Sequence, residues 1–142
     1  MPEKNLKHYE SYCIRLRTFS EAMNISVMYQ DYACDGEWDP RTRRIVINTD
    51  QSQSSEIASF LHELGHSLGD LLFKDNKYDA KVSKAYKAVY SGKHRASQLD
   101  LVIKFEQTAW KNGRDIARRL KIPLGKWFDE AEAYCLSSYR ST

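Results

Sequence analysis

The chain predicts an α+β domain, a helix followed by a small antiparallel sheet and then a helical block. Three observations carry that expectation. Residues 5 to 23 place Leu6, Cys13, Leu16, Ser20 and Met23 at helical spacing. Two short β-rich segments lie between residues 25 and 48. Beyond Ser52 the apolar residues return to a helical period and keep it.

The elements follow in order. Residues 5 to 23 are expected to form a first amphipathic helix. From Ile25 to Tyr32, Ile25, Val27 and Tyr29 alternate with Ser26, Met28 and Gln30, the period of a strand. Asp35-Gly36 and Asp39-Pro40 mark turns, and Arg44-Ile45-Val46-Ile47-Asn48 is a second, β-branched strand. Ser52 to Ser55 offers N-caps for a helix running to about Phe73. After a loop rich in Lys, Asp and Asn, helices are expected at roughly 79 to 91, 97 to 120 and 124 to 139, punctuated by Gly92 and Pro123.

At 142 residues the chain fits one domain, 1–142, large enough to bury a core without disulfide or metal staples. The balance of 22 Lys and Arg against 19 Asp and Glu gives +3, too small an excess to favour nucleic acid as the partner. Cys13, Cys34 and Cys135 are scattered and odd in number, which suits a reducing cytoplasm better than a secreted disulfide framework. No stretch has the length of a membrane span, and charges interrupt the N-terminal apolar residues as a signal peptide does not allow.

Chemistry enters at His62-Glu63-Leu64-Gly65-His66, an HExxH sequence inside the helix expected at 54 to 73. At ~100° per residue the two histidines lie ~40° apart, so both imidazoles reach one metal ion. Glu63 falls on the flank of that face, where a carboxylate touches a water without binding the metal. Ile57, Phe60, Leu61, Leu64, Leu68, Leu71 and Leu72 occupy the opposite side of the helix, so the histidines do not point into the leucine core. Ala58, Gly65 and Gly69 form a strip of small residues beside them, which lets another backbone come close.

A catalytic zinc takes three protein ligands and leaves one position open. His8 sits among Lys and Glu, and His94 lies between Lys93 and Arg95, so both read as solvated. A carboxylate is the better third ligand. Glu106 stands in the middle of an apolar stripe made by Leu99, Val102, Ile103, Ala109, Trp110 and Gly113. A buried carboxylate must be protonated, paired with Arg or Lys, or bound to metal. Glu106 therefore ranks first, with Glu130 second at the edge of the last helix's apolar arc, and Glu132 outside that arc.

The segment IASFLHELGHSLGD, preceded by WDPRTRR and a strand ending in IVIN, resembles the ImmA/IrrE-type zinc metallopeptidases of bacteria, phages and mobile elements. The likeness is close over residues 37 to 72 and extends to Glu106-Gln107-Thr108-Ala109-Trp110. It implies a compact zincin-like fold, zinc on His62 and His66, Glu63 as catalytic base, and Glu106 completing the site. The chain departs from the family's ExxAN-like segment by showing EQTAW, and 39 residues separate His66 from Glu106, with 74 to 96 as an insertion.

These observations lead to an expected zinc-dependent peptidase acting on a protein or peptide. Zinc lowers its water's pKa to about 7, and Glu63 moves the proton to the leaving nitrogen. Tyr78, Tyr86, Tyr90, His94 and Tyr134 are candidates to steady the oxyanion, and the edge of the strand at 44 to 48 is a candidate seat for an extended peptide. The alternative is a non-catalytic, zinc-stabilised module that binds another protein, for which a closed four-ligand site would be the mark. Arg41, Arg43 and Arg44, like Arg114, Arg118, Arg119 and Lys121, read as a solvated turn and cations at a helix C-terminus. Trp110, Trp127 and Cys135 lie on apolar faces, which makes them core residues and Cys135 inert.

Overall fold

The structure, a computed structural model, describes residues 6–31, 36–72 and 76–140, with side chains described outside 71–79. Its elements run α1 (Tyr9–Ala22), β1 (Ser26–Gln30), β2 (Glu37–Asp39), β3 (Arg44–Asn48), α2 (Gln53–Leu72), α3 (Asn76–Tyr90), α4 (Ala96–Arg119) and α5 (Lys126–Arg140). The α+β class holds, with helices dominating a small open sheet. No helix among the described residues is long and apolar enough to cross a membrane.

The sheet differs from the expected antiparallel pair. Its order is β1-β3-β2, with β1 parallel to β3 and only β2 antiparallel to it. The alternation of Ile25, Val27 and Tyr29 tells which side chains share a face, but it does not encode the direction of a partner strand. The missing piece is β2. Three residues are too few to show a period, and Trp38-Asp39 reads as the approach to a turn. With β2 in place, the chain descends next to β3 and turns through residues 40 to 43, where Arg43 adopts φ 53°. It then enters β3 alongside β2. This makes β3 the central strand, paired on both sides, so it has no edge to offer a peptide. Tyr32, the expected end of β1, lies outside the described residues, as does Cys34.

One core joins most of the molecule. Tyr12, Cys13 and Leu16 of α1 pack with Ile45 and Ile47 of β3, with Ile57, Phe60, Leu61 and Leu64 of α2, and with Trp110, Ile116 and Phe128 from the last two helices. The apolar arc expected on α2 is thus buried as far as Leu64, with Leu68 packed against it, while the side chains of Leu71 and Leu72 lie outside the described residues. A smaller cluster, Ala85, Val89 and Val102, joins α3 to α4. The expected insertion at 74 to 96 is therefore mostly α3, docked on α4.

A close seam joins α2 to α4. A methyl group built on Gly65 would stand 1.9 Å from the Ala109 carbonyl oxygen, and one on Gly113 would stand 2.9 Å from the Leu61 carbonyl oxygen. Each helix lacks a side chain where the other's backbone passes. Asn112 adds a hydrogen bond from its amide nitrogen to the Gly65 carbonyl, at 3.2 Å. Of the expected strip, Gly65 makes the close approach and Ala58 is buried in the core. At Gly69 the nearest neighbour to a built methyl is the Asn112 side chain, 3.9 Å away.

Candidate metal centre

The seam sets the Glu106 carboxylate against the two histidines. Glu106 Oε1 lies 3.2 Å from His62 Nε2, and Glu106 Oε2 lies 2.8 Å from His66 Nε2. The α-helical register supplies the first half of this geometry, since residues four apart share a face. The imidazole centroids are 4.6 Å apart. The bare Gly65 supplies the second half by letting α4 descend close enough for a Glu side chain to span the gap. Glu106 is 3% exposed, so it is buried as its place in the apolar stripe predicts. Its partners are the histidines and not the Arg or Lys considered from sequence.

Each member of the group is held from behind. The Trp110 indole stacks on His62 at 4.3 Å with an interplanar angle of 10°, so a tryptophan expected only in the core also fixes the plane of a histidine. Phe105 packs against His66 at 5.7 Å. The Tyr86 hydroxyl donates to Glu106 Oε2 at 2.6 Å, reaching in from α3. On the other side of the carboxylate, the Cys135 thiol lies 3.6 Å from Glu106 Oε1. Cys135 packs against the core, as its apolar face predicts, and its thiol also reaches Glu106.

The electrostatics follow from burial and charge. Burial alone would push the His66 imidazole down, but its hydrogen bond to Glu106 and the carboxylate's charge outweigh this and raise it to about 9. Burial would raise Glu106, yet the two imidazoles hold it well below the usual carboxylate range. The Cys135 thiol is pushed up to about 12, first by burial and then by the Glu106 charge. The Tyr86 phenol is raised by the same two causes in the same order. Without metal, Glu106 and His66 each favour the other's charged form.

Glu63 stands on the flank, as its angle on the helix predicts. Its Oε2 is 3.5 Å from His62 Nδ1, and the residue is 7% exposed. A cleft of about 2230 Å³ opens over this group, and Gly36, Trp38, His62, Glu63, His66, Tyr86 and Trp110 line it. Tyr90, Glu130 and Tyr134 border the same cleft. Glu130 is exposed there and outside the groups of mutually close ligand atoms, which are His62 with Glu63 and His66, and His62 with Glu106 and Cys135. His8 is exposed at the start of α1, and His94 does not line the cleft among the described residues. The side chain of Tyr78 lies outside the described residues.

Two imidazoles and a carboxylate are donors of the types that would suit a zinc ion. His62 Nε2 is buried and has no aligned hydrogen-bond partner, although Glu106 Oε1 is near. A nitrogen lone pair directed at a carboxylate gains nothing unless a proton or a cation stands between them. Zn–N and Zn–O bonds of ~2.0–2.2 Å at tetrahedral angles put donors ~3.4 Å apart. The observed 3.2 and 2.8 Å, each to a different Glu106 oxygen, are slightly shorter than that.

Sequence reasoning missed the contact of Cys135 with Glu106 and left Tyr86 among several unranked tyrosines. Two of the cations expected to be solvated are engaged instead: Arg43 bonds the Met23 and Asn24 carbonyls, and Arg114 pairs with Asp129 and Glu132, each at 2.8 Å. No protein-family model, curated protein or solved structure matches the chain.

Proposed function

We propose that this protein is a zinc-dependent peptidase of minimal zincin-like architecture, acting in the cytoplasm on a protein or peptide substrate. The observation that carries the reading is the Glu106 carboxylate, delivered by α4 to within 3.2 and 2.8 Å of the two HExxH nitrogens. A helix pair that leaves its backbone bare at Gly65 and Gly113 to bring these three groups together has the design of a ligand set.

Zinc bound to His62, His66 and Glu106 would supply a Lewis acid for a substrate carbonyl and an acidified water as nucleophile. The chain's own groups do the rest. Glu63, on the flank and lining the cleft, accepts a proton at its carboxylate and returns it to the leaving nitrogen. Trp110 fixes the His62 ring and Tyr86 fixes Glu106, so the ligands do not need to reorganise as charge develops. With β3 central, the peptide seat moves to β2, an outer strand whose residues Glu37 and Trp38 line the cleft beside Glu63.

The test is a Glu63→Gln variant incubated with a peptide library, alongside metal analysis. Hydrolysis is lost while zinc stays near one per chain, and His62→Ala loses both. A Glu63→Gln protein that cleaves as fast as the parent refutes this mechanism. One observation favours the alternative of a non-catalytic zinc-stabilised module: a thiol stands 3.6 Å from a ligand oxygen, where a fourth ligand would close the site. A zinc-loaded parent chain that cleaves no peptide, with a metal that no small ligand can reach, selects the module.

A further inference from the structure

Four side chains converge on the Glu106 carboxylate, and its two oxygens divide them. Oε2 receives His66 and the Tyr86 hydroxyl; Oε1 faces His62 Nε2 and Cys135 Sγ. The His62, Glu106 and Cys135 ligand atoms all lie within 4.8 Å of one another. Zn–S is longer than Zn–O, about 2.3 against ~2.1 Å, so tetrahedral geometry separates the sulfur and oxygen by ~3.6 Å. The Cys135 Sγ–Glu106 Oε1 distance is 3.6 Å. A third, independent feature lies beside the sulfur. The Trp110 indole N–H, in a residue 3% exposed, has no aligned hydrogen-bond partner. An N–H in that place is a donor that a bound sulfur would accept.

We propose that Cys135 is the fourth protein ligand of the site made by His62, His66 and Glu106, occupying in the resting protein the position that a water needs. The inference rests on the metal-site reading above and adds a regulatory element to it. On binding, the thiol gives up its proton to solvent and the sulfur joins the ion as thiolate. Hydrolysis then requires Cys135 to leave the metal, and α5, which carries it, borders the cleft through Tyr134 and Glu130. A site of this kind is closed at rest and opens when the last helix shifts or the sulfur is displaced by a substrate oxygen.

The experiment uses the full, reduced chain loaded with cobalt(II) or zinc. The cobalt protein should show an intense near-ultraviolet thiolate-to-cobalt charge-transfer band, and Cys135→Ala should remove that band while the weaker visible bands of a tetrahedral cobalt remain. Zinc affinity, read by competition with a chelating dye, should fall about 100-fold in the same variant, the upper end of what loss of a supporting group costs. In the unaltered chain, zinc should slow alkylation of Cys135 by iodoacetamide about tenfold or more, and a chelator should restore the rate. That measurement needs no variant, so it stands even where Cys135→Ala does not fold. Cobalt bound at one per chain with no charge-transfer band, or with Cys135 alkylated at the same rate with and without zinc, overturns the fourth ligand and leaves the three-ligand peptidase site intact. A chain that binds neither cobalt nor zinc overturns both.

Discussion

On one face of α2, Ile57, Phe60 and Leu64 are 0–1% exposed among the side chains of α1 and β3. On the other face, the same helix offers His62, Gly65 and His66 to α4, and what is buried there is a carboxylate and a carbonyl oxygen. The first face is held by removal of apolar area from water, which is non-directional and tolerates exchange of one hydrocarbon shape for another. The second is held by backbone proximity and by a polar group that must be matched at every atom. Apolar burial is therefore concentrated on one side of the helix and polar pairing on the other. Substitutions on the two faces should separate along that line.

The largest expected effects come from adjacent residues. Leu64→Ala removes a fully buried side chain from the hydrocarbon face and should cost about 2–5 kcal/mol of stability. Zinc affinity of the folded molecules should stay within about twofold, since the ligands do not rest on Leu64. Gly65→Ala adds one methyl group to the polar face, 1.9 Å from the Ala109 carbonyl oxygen in the present geometry. The helices must part, at a cost of about 3 kcal/mol, and Glu106, one turn before Ala109 and Trp110, moves with α4. Gly65→Ala should thus lose zinc as well as stability. Equal zinc affinity in the two variants, measured by chelator competition alongside denaturant melts, would erase the distinction between the faces.

Glu106→Gln sharpens it further, because it changes charge with almost no change in volume. Zinc affinity should fall by at least about 100-fold, and the gain in melting temperature on adding zinc should disappear. The metal-free protein should also lose stability, since Glu106 is paired with His66 there and does not stand alone. His66 is raised from 6.5 to about 9, so its contribution is fully present below pH 6.5 and lost as pH rises through about 9. Glu106 is lowered from 4.5, so its contribution is present above pH 4.5 and lost on acidification. Metal-free protein should accordingly be most stable between about pH 4.5 and 6.5 and lose on the order of 3 kcal/mol toward pH 9. The Gln variant should show a nearly flat curve over that alkaline range. A parent curve that is itself flat would mean that the pair does not form without metal.

How much of this was legible in the sequence depends on how local each feature is. Helical period located α2 and α4 within about a turn and put Glu106 on a buried stripe, because an amphipathic helix writes its face into its own residues. The Gly65 approach was legible for the same reason, as a gap beside two histidines. Sheet order was not, because Ser26–Gln30 and Arg44–Asn48 have the same alternation whether they run parallel or antiparallel, and the deciding strand is three residues long. Cys135 was not legible either. Its neighbours Trp127, Phe128 and Ala131 mark an apolar face, and only the docking of α5 against α4 turns one thiol of that face toward Glu106. Residues brought together by docking across long stretches of chain leave no periodic trace.

The smallest expected effect tests the polar face one layer out. Tyr86 donates to Glu106 Oε2 at 2.6 Å, and the same oxygen is 2.8 Å from His66 Nε2. Tyr86→Phe removes one oxygen and keeps the ring, which packs edge-on against Phe105 with centroids 6.1 Å apart. The loss to overall stability should be small, about 1 kcal/mol, because one hydrogen bond goes and no cavity of note is left. The loss to zinc binding should be larger in proportion, about tenfold, because the carboxylate is then free to rotate away from the line between the histidines. Tyr86→Phe therefore inverts Leu64→Ala: metal affinity falls while the fold barely responds. Unchanged zinc affinity in a folded Tyr86→Phe protein would show that the α2–α4 seam alone orients Glu106, and that α3 contributes packing and no more.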